Sequence, residues 1–283
     1  MRNRRGLFYV ASGFVLVTAF GILMLLSVFS AYTEGAQLQD ELLQHVMVTP
    51  RAEPIDIPIA EPEETGAETA PPETFPLPYG VTLPEIDFEA LQEINPHIVG
   101  WLVLEGTPIN LPLVQGENNY HYLEHLFDGT RNRSGTLFVD TYNRPGFVDD
   151  NTIIYGHNMQ NGSMFAAIRR FRDQAFFEAH PMAFLLTPDG NYVIRFFAGY
   201  TTCVTSQNWR IQFADEAEME HWIAENRQNS DFVSDVAVSA ADRIVTLATC
   251  TTSWEFDDAR YVLLGRLMPL GHTLDIEGEQ ELI

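Results

Sequence analysis

The longest hydrophobic stretch of the chain lies near its N-terminus. Residues 7–30 contain no charged side chain. Three arginines precede this stretch: Arg2, Arg4 and Arg5. A stretch of this length can cross a bilayer as a helix, and it exceeds the hydrophobic region of an ordinary signal peptide. Because flanking arginines stay on the cytoplasmic side, the pattern predicts a single-pass anchor with residues 1–6 inside and everything after Tyr32 outside. A signal peptide cleaved near Ser30 and Ala31 is the alternative.

A helical pattern continues past this stretch, and the composition then changes abruptly. Residues 33–48 carry leucines and a valine at helical spacing, which predicts a short juxtamembrane helix. Residues 49–84 are rich in Pro, Glu, Thr and Ala, a composition that buries too little apolar surface to order itself. Residues 31–84 are therefore predicted to form a juxtamembrane segment and an extended, self-repelling stalk that holds the next domain away from the membrane.

Short β-type patterns fill residues 85–270, and residues 271–283 are predicted as a tail. The predicted strands are 98–104, 109–114, 135–140, 151–155, 182–187, 192–204, 244–250 and 259–267. Helices are predicted after the capping residues Asp87, Ser163 and Asp215, with a shorter one at 117–125. Many short strands, few peripheral helices and no βαβ alternation predict a mainly β domain, a closed or nearly closed β-barrel with added helices.

Composition narrows the range of partners. A formal net charge of −23, from 16 basic and 39 acidic residues, argues against nucleic acid and against docking on an anionic membrane surface. Every basic residue is arginine, so the chain has no lysine amine with which to accept an acyl group itself. Much of the acidic excess lies in the stalk. The two cysteines, Cys203 and Cys250, do not make a disulfide framework, and Cys203 is predicted to pack within its apolar strand.

The clearest candidate chemistry lies at the end of the 244–250 strand. Cys250 ends this strand, and Arg260 begins the next β-type run ten residues later. If the two runs pair as an antiparallel hairpin centred near Glu255, Cys250 and Arg260 lie side by side across it. A guanidinium beside a thiol favours the thiolate and can stabilise a developing oxyanion. The alternative is that Cys250 is a small core residue and Arg260 an ordinary surface cation.

Three histidines occupy positions at which a catalytic or metal-binding role has to be considered. His157 follows Gly156 directly after the 151–155 strand, a good place to present an imidazole, although a solvated loop histidine fits as well. His121 and His125 have the i, i+4 spacing of a metal pair, but no third ligand is evident in the sequence. We therefore predict no metal site there and expect both side chains to be packing or surface residues.

The segments Tyr155-Gly156-His157 and Thr246-Leu247-Ala248-Thr249-Cys250, followed by Arg260, resemble the sortases, the membrane-anchored cysteine transpeptidases of Gram-positive bacteria. The likeness extends over residues 87–267. The helix after Asp87, the helix inserted before the cysteine strand and the segment 255–260 resemble class B in particular. Ala248 departs from that class, in which many members carry serine at this position.

The resemblance implies an eight-stranded sortase β-barrel without a cofactor. It implies Cys250 as the nucleophile, His157 as the general acid and base, and Arg260 as the contact to substrate and oxyanion. Further positions match the peptide groove of the class: Asn119, Leu123, Tyr155, Thr205, Trp209 and Thr249. The implied partners are secreted proteins with a C-terminal sorting signal of the N-P-x-T-[NSG] or L-P-x-T-G kind and, as amine acceptor, a peptidoglycan precursor.

Three other functions remain open at this stage. A pilin-polymerising enzyme would use the same chemistry with a lysine acceptor on another pilin. A hydrolytic cysteine peptidase would let water resolve the thioester. A non-catalytic surface-binding module would have no need of Cys250, His157 and Arg260 in register.

Overall fold

The computed structural model describes residues 3–47, 74–78, 81–251 and 257–271, and it describes side chains from residue 16 onward, Met47 excepted. Several of the sequence predictions fall outside these ranges. They concern Arg2, the stalk at 48–73 and 79–80, the hairpin turn at 252–256 and the tail at 272–283.

The described chain contains short strands and a few helices, as predicted. The helices are α1 (Asn3–Leu42), α2 (Phe88–Ile94), α3 (Gln174–Ala179) and α4 (Glu216–Asn229), with 3₁₀ turns at Leu43–His45, His121–Leu123, Phe165–Arg172 and Gln207–Trp209. The strands are β1 (Val46–Met47), β2 (Phe75–Pro76), β3 (Glu85–Ile86), β4 (Ile98–Val103), β5 (Asn110–Val114), β6 (Leu137–Val139), β7 (Asn151–Tyr155), β8 (Met182–Thr187), β9 (Gly190–Cys203), β10 (Arg243–Cys250) and β11 (Ala259–Gly271).

Eight strands close into a mixed β-barrel, which confirms the predicted fold. Their order is β10-β7-β6-β5-β4-β8-β9-β11, and the pairing of β10 with β11 closes the ring. The pairs β7–β10 and β5–β6 are parallel, whereas the other neighbours in the barrel are antiparallel. Because strand side chains alternate between faces, one set from every strand turns inward and forms the largest core cluster.

Helices cover two outer faces of the barrel. Helix α4 places Met219, Trp222 and Ile223 on the outward side chains of β9, β10 and β11, as its apolar face predicts. Its N-cap is Asp215, whose side chain accepts a hydrogen bond from the Glu218 amide. Asp87 caps α2 in the same way. These two helices leave the strand ends that carry the candidate chemistry open.

Helix α1 runs without interruption through the apolar stretch and the predicted juxtamembrane helix. It is long and apolar enough to span a membrane, and it ends at Leu42 rather than at residue 48. Leu42 is buried against the barrel together with Leu91 and Trp101. The C-terminal end of α1 is therefore packed on the folded domain.

Two short strands flank the segment that is predicted to form a stalk. Strand β1 precedes this segment and pairs with β3, which follows it, with Val46 opposite Ile86 and Met47 opposite Glu85. Residues 74–78 also lie on the barrel, where β2 pairs in parallel with the end of β11. Phe75 packs in the same cluster as Leu42, so this short segment is held against the folded domain.

Candidate active site

The closing pair of strands brings the predicted nucleophile next to the predicted cation. Cys250 is the last residue of β10 and is exposed, and it lies directly opposite Arg260 in the β10–β11 ladder. The hairpin predicted from the sequence is therefore confirmed. Arg260 is half-buried, and its Nη1 donates to the carbonyls of Asp258 and Ala259 at 3.1 Å.

A parallel pair of strands brings His157 to the same edge of the barrel. Ala248 of β10 is paired with Tyr155 of β7, and both strands run in the same direction. Two residues further along each chain, Cys250 and His157 leave neighbouring strand ends. The sequence places both residues at strand ends, but the adjacency of these strands belongs to the barrel.

A buried hydrogen bond ties these two strand ends together. The Thr249 hydroxyl donates to the Gly156 carbonyl at 2.7 Å, and the Gly156 amide donates to the Ala248 carbonyl at 3.1 Å. Position 156 has no room for a side chain, because a Cβ there would lie 2.5 Å from Leu137. Glycine therefore allows Leu137 and Phe165 to pack directly against the main chain that precedes His157.

The imidazole of His157 has an orienting partner that the sequence does not reveal. Its Nε2 lies 2.7 Å from the carbonyl oxygen of Leu123, in the 3₁₀ turn His121–Leu123. A carbonyl can only accept a hydrogen bond, so this contact places a proton on Nε2 and leaves Nδ1 as the nitrogen that can take up or release one. A main-chain carbonyl leaves no side-chain pattern by which it could have been predicted.

Two aromatic rings form a surface beside the strand ends. Tyr155 and Trp209 are half-buried and stack with their centroids 6.1 Å apart. The Tyr155 hydroxyl donates to Asp140 at 2.9 Å, and Asp140 also accepts from the amide of Asn119 at 3.0 Å. Asp140 thus links two of the predicted groove residues. Asp140 directly follows β6, and this position at a strand end is the sole feature of the sequence that indicates its link to Tyr155 and Asn119.

The electrostatics of Tyr155 reflect the neighbourhood of Arg260. Burial raises the pKa of the Tyr155 phenol far above its usual value, and the Asp140 carboxylate raises it further. The positive charge of Arg260 acts in the opposite direction and lowers that pKa. The phenol is therefore a neutral hydrogen-bonding group at physiological pH, and it stands within electrostatic range of the guanidinium.

The remaining predicted groove positions differ in accessibility. Thr205 is exposed just after β9, with its hydroxyl 3.3 Å from Cys203 Sγ. Thr249 is only 2% exposed, and its hydroxyl donates to the Gly156 carbonyl and joins the two strand ends. Ala248 is equally buried, in the cluster that supports Tyr155 and Trp209.

The histidine pair at 121 and 125 forms a stacked surface feature. The rings of His121 and His125 are parallel with centroids 4.1 Å apart, and His125 Nδ1 lies 2.7 Å from the His121 carbonyl. Burial lowers the pKa of His121, and the charges of His125 and His97 lower it further. Both rings flank the turn that presents the Leu123 carbonyl.

Comparison with known proteins shows where this arrangement recurs. A sequence profile described as a sortase domain matches residues 102–268. Sortase B of Listeria monocytogenes is 38% identical over 178 residues, which cover 63% of this chain and 72% of that protein. Sortase B of Staphylococcus aureus is 33% identical over 181 residues, which cover 64% and 74%. A solved sortase B–substrate complex from Staphylococcus aureus superposes with a TM-score of 0.62 at 32% identity, covering 65% of this chain and 85% of that one.

Proposed function

Since the chain belongs to the sortase family of cysteine transpeptidases, and within it to class B, we propose that it cleaves a C-terminal sorting signal after threonine and transfers the protein to an amine. The assignment of Cys250, His157 and Arg260 as the reacting residues rests on one observation. The two strand registers, Cys250 opposite Arg260 and Ala248 beside Tyr155, bring a thiol, a guanidinium and an imidazole to one edge of the barrel.

The first half of the reaction forms a thioester on Cys250. The thiolate attacks the carbonyl carbon of the threonine, and Arg260 stabilises the resulting oxyanion, a contribution of about 3–4 kcal/mol per donor in comparable sites. As the tetrahedral intermediate collapses, the bond from carbon to nitrogen breaks. His157 protonates the departing amine through Nδ1, because Nε2 is held by the Leu123 carbonyl.

The second half transfers the acyl group. His157, now neutral, removes a proton from the incoming amine, whose nitrogen attacks the thioester carbonyl. The bond from carbon to sulfur breaks, a new amide forms, and Cys250 leaves as thiolate. We propose that the acceptor is an amine of a peptidoglycan precursor, so that the product is a secreted protein attached to the cell wall.

The sorting peptide lies along the aromatic surface next to these strand ends. Tyr155 and Trp209 offer two stacked rings, and the hydrogen bonds of Asp140 hold Tyr155 and Asn119 in place. Leu123 and the exposed Thr205 border the same edge. These side chains recognise the residues before the scissile bond, while Arg260 contacts the carbonyl that reacts.

Helix α1 anchors the enzyme as a single-pass membrane protein. Its apolar length supports a membrane span, and the arginines at its N-terminus favour an orientation with that end in the cytoplasm. The barrel then lies on the outer face of the membrane, where both proposed substrates occur.

The test uses the full chain in lipid nanodiscs with a panel of sorting peptides and amine acceptors. We expect a peptide–amine product and, by mass spectrometry, an acyl adduct on Cys250. Cys250→Ala abolishes both, whereas the matched control Cys203→Ala retains them. An adduct on Cys203 contradicts the assignment of the nucleophile. Free acid as the sole product with every amine contradicts transpeptidation and supports a hydrolytic peptidase.

A further inference from the structure

The outer part of α1 contacts the loop that holds the catalytic imidazole. We call residues 121–136 the histidine loop, because it begins with the turn that presents the Leu123 carbonyl to His157. Asn132 of this loop is 5% exposed, and its Nδ2 donates to the Ala31 carbonyl of α1 at 2.9 Å. The helix and the loop are therefore joined by a buried polar contact.

A glycine makes the approach between helix and loop possible. A Cβ at Gly35 of α1 would lie 3.2 Å from Ser134 Oγ and 3.5 Å from Ser134 Cβ. A larger side chain at this position has to push the helix and the loop apart. Gly21 of the same helix differs in this respect, since a Cβ there would meet no atom within 4 Å.

The part of the loop that touches α1 is bonded to the part that touches His157. The Asn132 amide donates to the Glu124 carbonyl at 2.8 Å, and the Thr136 amide donates to the Tyr122 carbonyl at 2.9 Å. These bonds flank Leu123 on both sides. A displacement of residues 132–134 therefore moves the carbonyl that bonds His157 Nε2.

The same helix forms the far wall of a cleft that opens on His157. This cleft has a volume of about 760 Å³. Val28 and Ala31 of α1 line one side, and His157 and Met159 line the other. The cleft lies where the apolar part of the helix ends, at the level expected for the surface of the bilayer.

We propose that α1 is a positioning element for His157 as well as a membrane anchor. Its docking on the histidine loop holds the Leu123 carbonyl in place, which sets the orientation and tautomer of the imidazole. The enzyme is then fully active only while the barrel is seated on its own anchor. This inference rests on the proposed function, because it takes His157 as the group that transfers protons.

The test compares Gly35→Leu with Gly21→Leu in the full chain in nanodiscs. Both substitutions replace glycine by the same helix-favouring residue, so they differ in what the new side chain meets. We expect Gly35→Leu to lower kcat by about 10²-fold, the usual effect of displacing a catalytic group by about 1 Å. KM for the sorting peptide changes less than kcat, because Tyr155 and Trp209 keep their stacked positions and only Leu123 of the predicted groove moves with the loop. Gly21→Leu keeps wild-type kcat and KM.

Two further readouts separate positioning from loss of fold. The ¹⁵N shifts of the His157 ring, assigned with His157→Gln, report which ring nitrogen carries the proton. The pH profile of kcat reports the ionisations on which the reaction depends. We expect both to change in Gly35→Leu and to stay unchanged in Gly21→Leu. If Gly35→Leu does not fold, Asn132→Asp takes its place, since it removes the donor to Ala31 and keeps the acceptor for the Ser134 amide.

Identical kcat, pH profile and ring shifts in Gly35→Leu and Gly21→Leu overturn the proposal. If the wild-type chain lacks transpeptidase activity, the proposed function fails, but the ring shifts still test the docking by themselves. In that case an unchanged His157 signal in Gly35→Leu, or in Asn132→Asp, overturns the positioning role, and a changed signal supports it.

Discussion

The hydroxyl of Thr249 offers a sharp test of how the strand ends are held together. Thr249→Val removes the donor to the Gly156 carbonyl and keeps the shape of the side chain. Thr246 provides the matched control, because it lies on the same strand, is fully buried and donates to Asn151 Oδ1 at 2.8 Å. The bond from Thr249 to Gly156 lies at the candidate active site, directly before Cys250 and His157. The bond from Thr246 to Asn151 lies further back along the same two strands.

Both substitutions leave a buried acceptor without its hydroxyl donor. Each should therefore lower the free energy of unfolding by about 1–3 kcal/mol. For a domain of this size, the midpoint of thermal unfolding falls by about 2–4 °C for each kcal/mol. The two variants should differ in kcat, because Cys250 and His157 directly follow Thr249 and Gly156, the two residues that this hydrogen bond joins. We expect kcat to fall between tenfold and about 10²-fold in Thr249→Val, and to change by less than about twofold in Thr246→Val.

The assay measures the rate of peptide–amine formation at saturating sorting peptide, together with thermal unfolding of the same samples in nanodiscs. If Thr249→Val and Thr246→Val lose equal stability and both keep wild-type kcat, the Thr249 bond does not position the site. An equal fall of kcat in both variants also refutes the reasoning, since the loss then follows general stability.

Two other predictions address the histidine loop and the opposite end of the barrel. Gly135→Ala should lower kcat and shift the pH profile of kcat relative to Gly129→Ala. Both glycines have positive φ, but only a Cβ at Gly135 would lie within 3.0 Å of the Leu123 carbonyl. Equal pH profiles in the two variants contradict this prediction. Burial opposes ionisation of Asp149, but hydrogen bonds from Asn143 and Arg144 prevail and lower its pKa, so Asp149→Asn should reduce the free energy of unfolding near neutral pH. Since the folded-state pKa lies below the unfolded one, the difference from wild type should shrink as pH falls below about 4, and a difference that grows in acid, measured by urea unfolding, contradicts it.

Much of the local structure could be predicted because local physical rules decide it. The uncharged stretch near the N-terminus forms a helix long and apolar enough to span a membrane, as its length and composition predict. The caps Asp87 and Asp215 satisfy helix amides within their own turns. The closing hairpin was also predictable, since the short separation of Cys250 and Arg260 leaves few ways for two β-type runs to pair.

The parallel pairing of β7 with β10 was decided by the tertiary structure. Some ninety residues separate Gly156 from Thr249. The hydrophobic pattern of either strand does not predict that the two strands are neighbours in the sheet. Only closure of the barrel puts the two ends on one edge. The resemblance to a family implied the roles of His157 and Cys250, but the physical reason for their meeting is this non-local register.

The sequence by itself determined the long apolar helix, the strands, the caps and the types of reactive side chain, because each of these depends on residues close together in the chain. The tertiary structure decided that the Leu123 carbonyl contacts His157, that Asp140 accepts hydrogen bonds from Tyr155 and Asn119, and that β1 pairs with β3. Main-chain carbonyls and contacts between distant elements leave no pattern in side-chain polarity. Their positions follow from packing, which is settled only when the whole barrel closes around its core.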